Sequence, residues 1–137
     1  MTREMTLAID CGGGGIKGSV VDERGTMIAP PHRVPTPYPL PPELLVDTAV
    51  DLARELPAAT RVTMGMPGMI RHGVVIATPH YITRDGPRSR VLPELVERWD
   101  HFDMGSAIEQ ALGLPTKVLN DAEVAGAGAI TGRGLEM

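Results

Sequence analysis

The chain has 137 residues, 42% of them hydrophobic and 22% charged, which is the composition of one soluble globular domain with its own core. Its net charge of -4 at pH 7 argues against a nucleic-acid binder, and its single cysteine excludes a disulfide framework and suits a reducing compartment. The first residues lack the apolar stretch of a signal peptide, and no apolar run is long enough to cross a bilayer, so we expect a cytoplasmic protein without a membrane partner.

The first distinctive segment is a run of glycines between two apolar runs. Asp10 ends the first apolar run, four successive glycines occupy Gly12 to Gly15, and Lys17 lies just beyond them. Glycines leave backbone amides unscreened by any Cβ and permit positive φ angles, so such a loop can wrap an anion. An acid at its start can hold a hydrated Mg²⁺, and a lysine can neutralise phosphate charge. The segment therefore predicts a phosphate loop with Asp10 as the metal ligand. The predicted phosphate contacts are Gly12, Gly13, Gly14 and Lys17.

The same glycines also match the G-x-G-x-x-G pattern of dinucleotide-binding proteins, at Gly13, Gly15 and Gly18. That pattern requires a helix directly after the loop, whereas here an apolar run leads into the polar turn Asp22–Gly25, which is typical of a hairpin. A P-loop is excluded for the same reason, and because no Gly-Lys-Ser/Thr follows the glycines. The remaining alternative is a hairpin turn that binds no ligand, although tight hairpins need only one or two glycines.

Strand and helix patterns alternate along the chain. Strands are predicted at Thr6–Ile9, Ile16–Val21, Thr26–Ala29 with a continuation at Arg33–Pro35, Arg61–Met66, Gly73–Thr78 and Thr116–Leu119. Helices are predicted at Glu43–Leu56, Pro93–Trp99 and Ser106–Leu112, and a last one follows Asp121. A β-meander followed by alternating helices and strands predicts a mixed-sheet α/β domain. Because aromatic residues are only 3% of the chain, we expect a core of Val, Leu, Ile, Ala and Met.

Asn120 and Asp121 lie where the last predicted strand meets the last predicted helix. The carboxyl ends of strands are where open α/β sheets commonly bind ligands. A carboxylate at this place can act as a general base, and an amide can donate to and accept from hydroxyl groups. The alternative for Asp121 is an N-cap, which is a common use of Asp before a helix.

Several motifs, taken together in chain order, resemble those of one superfamily. The Asp10-x-Gly12-Gly13 segment with Lys17 resembles the first phosphate motif of the actin–hexokinase–sugar kinase superfamily. Within that superfamily, four further motifs are similar to those of the ROK (repressor, open reading frame, kinase) sugar kinases, and especially to those of actinobacterial glucokinases and polyphosphate glucokinases. These motifs are Met64-Gly65-Met66-Pro67-Gly68, Gly73-Val74-Val75, Thr78-Pro79 and Leu119-Asn120-Asp121-Ala122. The resemblance implies a ribonuclease H-like (actin-like ATPase) α/β fold. It also implies that residues 1–137 form the N-terminal domain of a two-domain protein and that the C-terminal domain is absent from this chain.

The resemblance further implies an activity, a sugar kinase that transfers a phosphoryl group from ATP or polyphosphate to the 6-hydroxyl of glucose or a related hexose, with Mg²⁺ as cofactor. It assigns to Asp121 the removal of the proton from that hydroxyl. The implied sugar contacts are Gly68, His80, Asn120, Asp121 and Glu123. Gly68 could instead serve only a Pro-Gly turn, and Glu123 could simply be solvated. The resemblance also implies that a homodimer could form. The family includes transcription repressors, which carry a DNA-binding winged helix ahead of the phosphate loop. Because this chain has only a few residues before its first predicted strand, and because its net charge is negative, we expect no nucleic-acid partner.

Two features depart from the family pattern. Gly14 occupies the position where the family usually has a threonine, so a hydroxyl contact to phosphate is missing. The segment Ile82–Arg98 is longer than usual. Its arginines, which could contact a polyanionic donor or be ordinary solvated charges, are Arg84, Arg88 and Arg90. The alternative function is therefore a non-catalytic sugar-binding or regulatory relative, or an inactive fragment.

Overall fold

The computed structural model of the protein describes residues 4–86 and 88–121. No helix within these two ranges has the length and apolar character needed to cross a membrane. In chain order, the elements of this part of the chain are β1 (Thr6–Cys11), β2 (Gly15–Val21), β3 (His32–Pro35), α1 (Pro42–Arg54), β4 (Arg61–Met66), β5 (Met69–Arg71), β6 (Val74–Ala77), α2 (Pro93–Trp99), β7 (Phe102–Asp103), α3 (Met104–Leu112) and β8 (Thr116–Asn120).

The principal sheet has five strands in the order β3-β2-β1-β4-β8. Its first three strands along the chain form an antiparallel meander, whereas β4 and β8 run parallel to β1. The register places Asp10 opposite Gly65, and Met66 opposite Asn120. The carboxyl ends of β1, β4 and β8 therefore meet at one edge of the sheet. This arrangement confirms the predicted mixed-sheet α/β fold with an N-terminal meander.

One face of this sheet packs on α1 and α3. Along β1, Leu7, Ile9 and Cys11 are buried on this face, and the alternate residues are more exposed, as the two-residue period of a strand requires. The helix α1 begins with proline at its first turn and buries Leu45, Ala49 and Leu52 at helical spacing. It contacts β2 and α3, and α3 contacts β8, so the two helices cover the sheet together.

The aromatic residues have a larger part in the core than their number suggested. The chain has two tyrosines, one tryptophan and one phenylalanine, and all of them join one cluster. Tyr81 is 0% exposed and Trp99 is 2% exposed, and their ring centroids are 5.7 Å apart. The indole N–H of Trp99 donates to the carbonyl of Leu40 at 2.8 Å. The expectation of a purely aliphatic and methionine core is therefore wrong.

The predicted strand Thr26–Ala29 is also wrong. Met27 forms only an isolated bridge with Val21, and the strand that completes the meander is β3, which pairs with the first half of β2. The carboxylate of Asp22 accepts hydrogen bonds from two backbone amides of the turn, at 2.9 and 3.0 Å. The chain then passes through Pro30 and Pro31, which cannot donate to a ladder, before it can pair again.

The other predicted elements are present with small shifts at their ends, as is usual for helix and strand boundaries. Two short strands were not predicted, β5 and β7, and they flank β6 in a second, three-stranded sheet. Three residues of β5 and two of β7 are too few for a periodic pattern in the sequence. The helix predicted after Asp121 lies outside the described residues.

Candidate functional site

The glycine run forms the bend of the β1–β2 hairpin. The amide of Gly12 donates to the carbonyl of Gly15 at 2.9 Å, and β2 begins at Gly15 itself. The bend therefore leads into a strand, as predicted. A helix N-terminus at this place, which both the dinucleotide fingerprint and the P-loop need, is excluded.

One of the two reasons that we expected for the glycines, a positive φ angle, is wrong. None of Gly12 to Gly15 has a positive φ angle, so the bend does not require their conformational freedom. Two of these positions differ in the room that they leave for a side chain. A Cβ at Gly15 would lie 2.5 Å from Cζ of Arg33, whereas a Cβ at Gly14 would have no described atom within 4 Å. Gly14 is thus open toward the outside of the bend.

Three hydroxyl groups hold the carbonyls of the bend from inside the protein. Thr36 Oγ1 and the Tyr81 hydroxyl both donate to the carbonyl of Gly12 at 2.9 Å, and the Tyr38 hydroxyl donates to the carbonyl of Gly13 at 2.8 Å. Within the described ranges, no hydrogen bond is made by the amides of Gly13 and Gly14. The bend therefore has fixed carbonyls and available amides, which is the polarity that an anion requires.

The three hydroxyl-bearing residues were missed by sequence reasoning. Thr36, Tyr38 and Tyr81 lie between 24 and 69 positions along the chain from the glycines that they bind. No local spacing connects them with the bend. The sequence therefore contained no signal that could have found them.

Two buried groups, the Cys11 thiol and the Tyr81 hydroxyl, lie beside the glycine bend. Burial raises the pKa of the Cys11 thiol, and the carboxylates of Asp10 and Asp121 raise it further. Burial also raises the pKa of the Tyr81 hydroxyl, and Cys11, Tyr38 and the same two carboxylates add to that effect. Both groups therefore stay neutral, and Tyr81 stays a hydrogen-bond donor. Both carboxylates are close enough to act on the same two side chains.

The sheet explains this proximity. Asp10 lies opposite Gly65 of β4, and Gly65 lies opposite Leu119 of β8. Neighbouring strands are about 4.8 Å apart, so the backbones of β1 and β8 are separated by about 10 Å at this level. Asp10 and Asp121 are both exposed at the same edge. The structure thus brings the predicted metal ligand and the predicted base to one edge of the sheet.

The Pro67–Gly68 turn lies at the end of β4, the strand between the strand of Asp10 and the strand before Asp121. Gly68 has a φ angle of +113°, and a Cβ there would lie 2.9 Å from Cα of Thr78 and closer still to the carbonyl of Ala77. Thr78 Oγ1 donates to the carbonyl of Pro67 at 3.1 Å, and Asn120 Nδ2 donates to the carbonyl of Gly68. Glycine is therefore required here by the packing of the turn itself. The side chain of Asn120 joins the turn to the end of β8.

An open groove of about 580 Å³ runs beside this turn. Gly68 and Asn120 line it together with Pro79, and its other walls are apolar. His80, the next residue after Pro79, is exposed, and Lys17 is exposed opposite Asp10 on β2. The predicted sugar contact Glu123 lies outside the described residues. Of the predicted sugar contacts, Gly68, Asn120 and Asp121 are thus close together.

A sequence comparison decides the family. The sequence profile of the ROK family matches residues 6–134. The chain belongs to the ROK family. Among its curated relatives is the N-acetylmannosamine kinase of Escherichia coli, which is 34% identical over 122 residues, covering 88% of this chain and 37% of the kinase.

Solved structures of ROK sugar kinases share the fold. The inorganic polyphosphate/ATP-glucomannokinase of Arthrobacter sp. strain KM is 32% identical with a TM-score of 0.73, and the match covers 98% of this chain and 51% of that chain. A ROK family glucokinase from Streptomyces griseus, solved with glucose and AMPPNP, is 29% identical with a TM-score of 0.71, covering 96% and 38%. The ROK chain described here therefore spans between about a third and a half of the length of these relatives.

The arginine-rich segment that follows Thr78-Pro79 forms a loop whose two ends are joined by hydrogen bonds. The amide of Arg84 donates to the carbonyl of Arg90 at 2.8 Å, and Thr83 bridges Val91. The arginines of this segment, Arg84, Arg88 and Arg90, are exposed. Their predicted contact with a polyanionic donor stays a prediction.

Proposed function

We propose that this ROK chain supplies the acceptor side and the first phosphate loop of a hexose kinase of the glucokinase type. The donor is ATP or polyphosphate, and the acceptor is the 6-hydroxyl of glucose or a related hexose. The observation that carries the proposal is the common edge of β1, β4 and β8, which holds Asp10, the glycine bend and Asp121 together. Phosphoryl transfer needs these parts in one place, because its catalysis is mostly positioning and neutralisation of charge.

In the proposed reaction, the carboxylate of Asp121 accepts the proton of the hexose hydroxyl. The oxygen then bonds to the terminal phosphorus of the donor, and the bond from that phosphorus to its bridging oxygen breaks. The products are a hexose 6-phosphate and ADP, or polyphosphate shortened by one unit. The amides of Gly13 and Gly14 and the ammonium group of Lys17 are suited to hold the negative charge of the transferred group.

The hexose would lie against the Pro67–Gly68 turn and the groove beside it. Asn120 already fixes this turn, so it would orient both the turn and the sugar. His80 and Glu123 would complete the hydroxyl contacts. Because the turn and Asp121 both lie at the ends of neighbouring strands, a hexose seated there presents a hydroxyl to the base.

Mg²⁺ fits the residues at this edge. The cation is commonly bound by one or two carboxylates together with substrate phosphates and water, and Asp10 offers an exposed carboxylate beside the bend. No group of three or more potential metal-ligating side chains occurs in the described ranges, so the donor's phosphates would supply the remaining ligands. When bound there, Mg²⁺ would neutralise charge on the donor.

The names of the relatives support a hexose as acceptor: they are N-acetylmannosamine kinase, glucokinase and polyphosphate/ATP-glucomannokinase. They do not decide between ATP and polyphosphate as donor, which is a question for experiment. We also propose a cytoplasmic location, a homodimeric assembly of the whole protein, and no nucleic-acid or membrane partner.

The proposal is tested with the protein expressed in full from its gene. Formation of hexose 6-phosphate is measured with ATP and with polyphosphate, for the wild type and for Asp121→Asn, Asp121→Ala and Asp47→Asn. Asparagine keeps the capping ability of aspartate but cannot accept the proton. Asp47 is exposed on α1, so its variant removes one carboxylate from a place outside the site.

We expect Asp121→Asn to lower kcat by about 10²- to 10⁴-fold, the usual contribution of a general base, and to keep its stability and hexose affinity. Asp47→Asn should match the wild type. If Asp121 is only an N-cap, the asparagine variant will turn over normally and the alanine variant will be the unstable one. Hexose binding without turnover by the wild type would identify a non-catalytic relative.

A further inference from the structure

Arg33 lies in a charged row that crosses three strands. The pairing of β2 with β3 places it directly opposite Lys17, and the pairing of β1 with β2 places Asp10 on the other side of Lys17. All three residues are exposed. Residues opposite each other in antiparallel strands share a face, with their Cβ atoms about 5 Å apart. One face of the sheet therefore carries two cations and a carboxylate beside the glycine bend.

The guanidinium group of Arg33 does not extend away from the protein. It lies on the backbone of Gly15, where a Cβ would be 2.5 Å from its Cζ and 2.8 Å from its Nε. Gly15 is opposite Pro35, two positions along β3 from Arg33, so the side chain reaches diagonally toward the bend. Glycine at this position leaves the room that the guanidinium occupies.

This placement puts two like charges opposite each other on neighbouring strands. Like charges directly opposite each other destabilise a strand pair. Of the two cations, only Lys17 is directly opposite Asp10. Neither cation forms an ion pair within 4.0 Å to a carboxylate of the described ranges, where the ion pairs are those of Arg54, Arg61, Arg98 and His101. An anion held between Arg33 and Lys17 would remove the repulsion.

We propose that Arg33 binds phosphate groups of the phosphoryl donor, together with Lys17 and the amides of the bend. This inference rests on the proposed kinase function, because the donor is the polyanion at this edge. A guanidinium matches phosphate oxygens with two parallel hydrogen bonds, and an ammonium acts as a point charge. Two cations on neighbouring strands can therefore hold successive phosphates, in either the triphosphate of ATP or inorganic polyphosphate.

The test compares the wild-type protein, expressed in full, with four variants. Arg33→Gln removes the charge, and Arg33→Lys keeps the charge without the planar fork. Gly15→Ala places a methyl group where the guanidinium lies and should push this flexible end away. Arg24→Gln is the matched control, because Arg24 is exposed in the turn at the far end of β2, about 20 Å along that strand from Gly15.

The KM for ATP, the KM for polyphosphate and the KM for hexose are measured for each variant. We expect Arg33→Gln to raise the donor KM by about tenfold or more, as loss of a charged hydrogen bond does, with the hexose KM unchanged. Arg33→Lys should recover part of the loss, Gly15→Ala should resemble Arg33→Gln, and Arg24→Gln should resemble the wild type. A larger effect with polyphosphate than with ATP would identify the longer polyanion as the principal ligand.

Failure of this inference differs from failure of the proposed function. An active wild type with an unchanged donor KM in Arg33→Gln would overturn the role of Arg33 and leave the kinase proposal intact. If the wild type shows no turnover, calorimetric titration with polyphosphate decides the role of Arg33. Binding that is weakened by Arg33→Gln and not by Arg24→Gln would uphold it, and equal binding or none would overturn it.

Discussion

Two hydroxyl groups hold the carbonyl of Gly12, and removing both should lower the free energy of unfolding by more than the sum of the two separate losses. Thr36 Oγ1 and the Tyr81 hydroxyl both donate to this one oxygen, each at 2.9 Å. In Tyr81→Phe or Thr36→Val, the carbonyl keeps one partner. In the double variant, it keeps neither, although it lies in a partly buried place beside position 81, whose tyrosine is 0% exposed in the wild type.

The expected size follows from hydrogen-bond energetics. Each single variant should lose about 1 kcal/mol of the free energy of unfolding, because one bond disappears and no polar group is left alone. The double variant should lose this amount twice and a further ~1–3 kcal/mol for the stranded carbonyl. The coupling energy between the two positions is therefore about 1–3 kcal/mol.

The assay is urea unfolding of the 137-residue chain, followed by the fluorescence of the buried Trp99. The control cycle combines Tyr81→Phe with Thr48→Val, since the Thr48 hydroxyl bonds a helix carbonyl in α1 and shares no partner with Tyr81. This control should be additive within about 0.5 kcal/mol. An additive result for Thr36 and Tyr81 would refute the idea that the two hydroxyls jointly fix the bend.

Three further results are expected, all measured by urea unfolding unless stated. Gly68→Ala should lower the free energy of unfolding by about 3 kcal/mol or more, because a Cβ strains the positive φ and meets the carbonyl of Ala77. Gly25→Ala, at φ +81° with open space around it, should lower it by about 1 kcal/mol, and equal losses in the two variants would contradict this packing. Gly14→Thr should leave the free energy of unfolding unchanged or raise it by about 0.5 kcal/mol, since no described atom lies within 4 Å of a Cβ there and φ is not positive. The KM for the donor should fall if the added hydroxyl reaches phosphate, and a lower stability would show that the bend has no room for a side chain at this position. Burial raises the pKa of the Cys11 thiol above its ordinary value of 9.0, so the thiol stays protonated in the folded protein but ionises in the unfolded chain. The free energy of unfolding should therefore fall by about 1 kcal/mol between pH 9 and 10, below the range in which tyrosines ionise in the unfolded chain, and Cys11→Ala should abolish this fall; an unchanged fall in Cys11→Ala would refute the assignment.

The parts of the fold that rest on local patterns could be predicted from the sequence. The β1–β2 hairpin was visible because an apolar run, glycines and a second apolar run lie next to one another. The carboxyl-end position of Asp121 followed from the strand before it. In the same way, α1 was visible in its apolar spacing and its proline start.

The rest depends on residues that are distant along the chain. The strand predicted at Thr26–Ala29 had the right composition, but its place in the sheet depends on the turn at Asp22 and on two prolines. The sugar contact expected of Gly68 stays a prediction, but the structure adds a packing reason for glycine there, the carbonyl of Ala77, that the sequence did not reveal. Likewise, no pattern could reveal that Tyr81, 69 positions away, holds the carbonyl of Gly12.

A structure of the whole protein with a hexose and a non-hydrolysable ATP analogue tests the central proposal most directly. We predict that the terminal phosphate lies on the amides of Gly13 and Gly14, and that the 6-hydroxyl of the hexose lies about 2.6–3.2 Å from the carboxylate of Asp121. A hexose bound away from Asp121, or a donor bound away from the glycine bend, would contradict it.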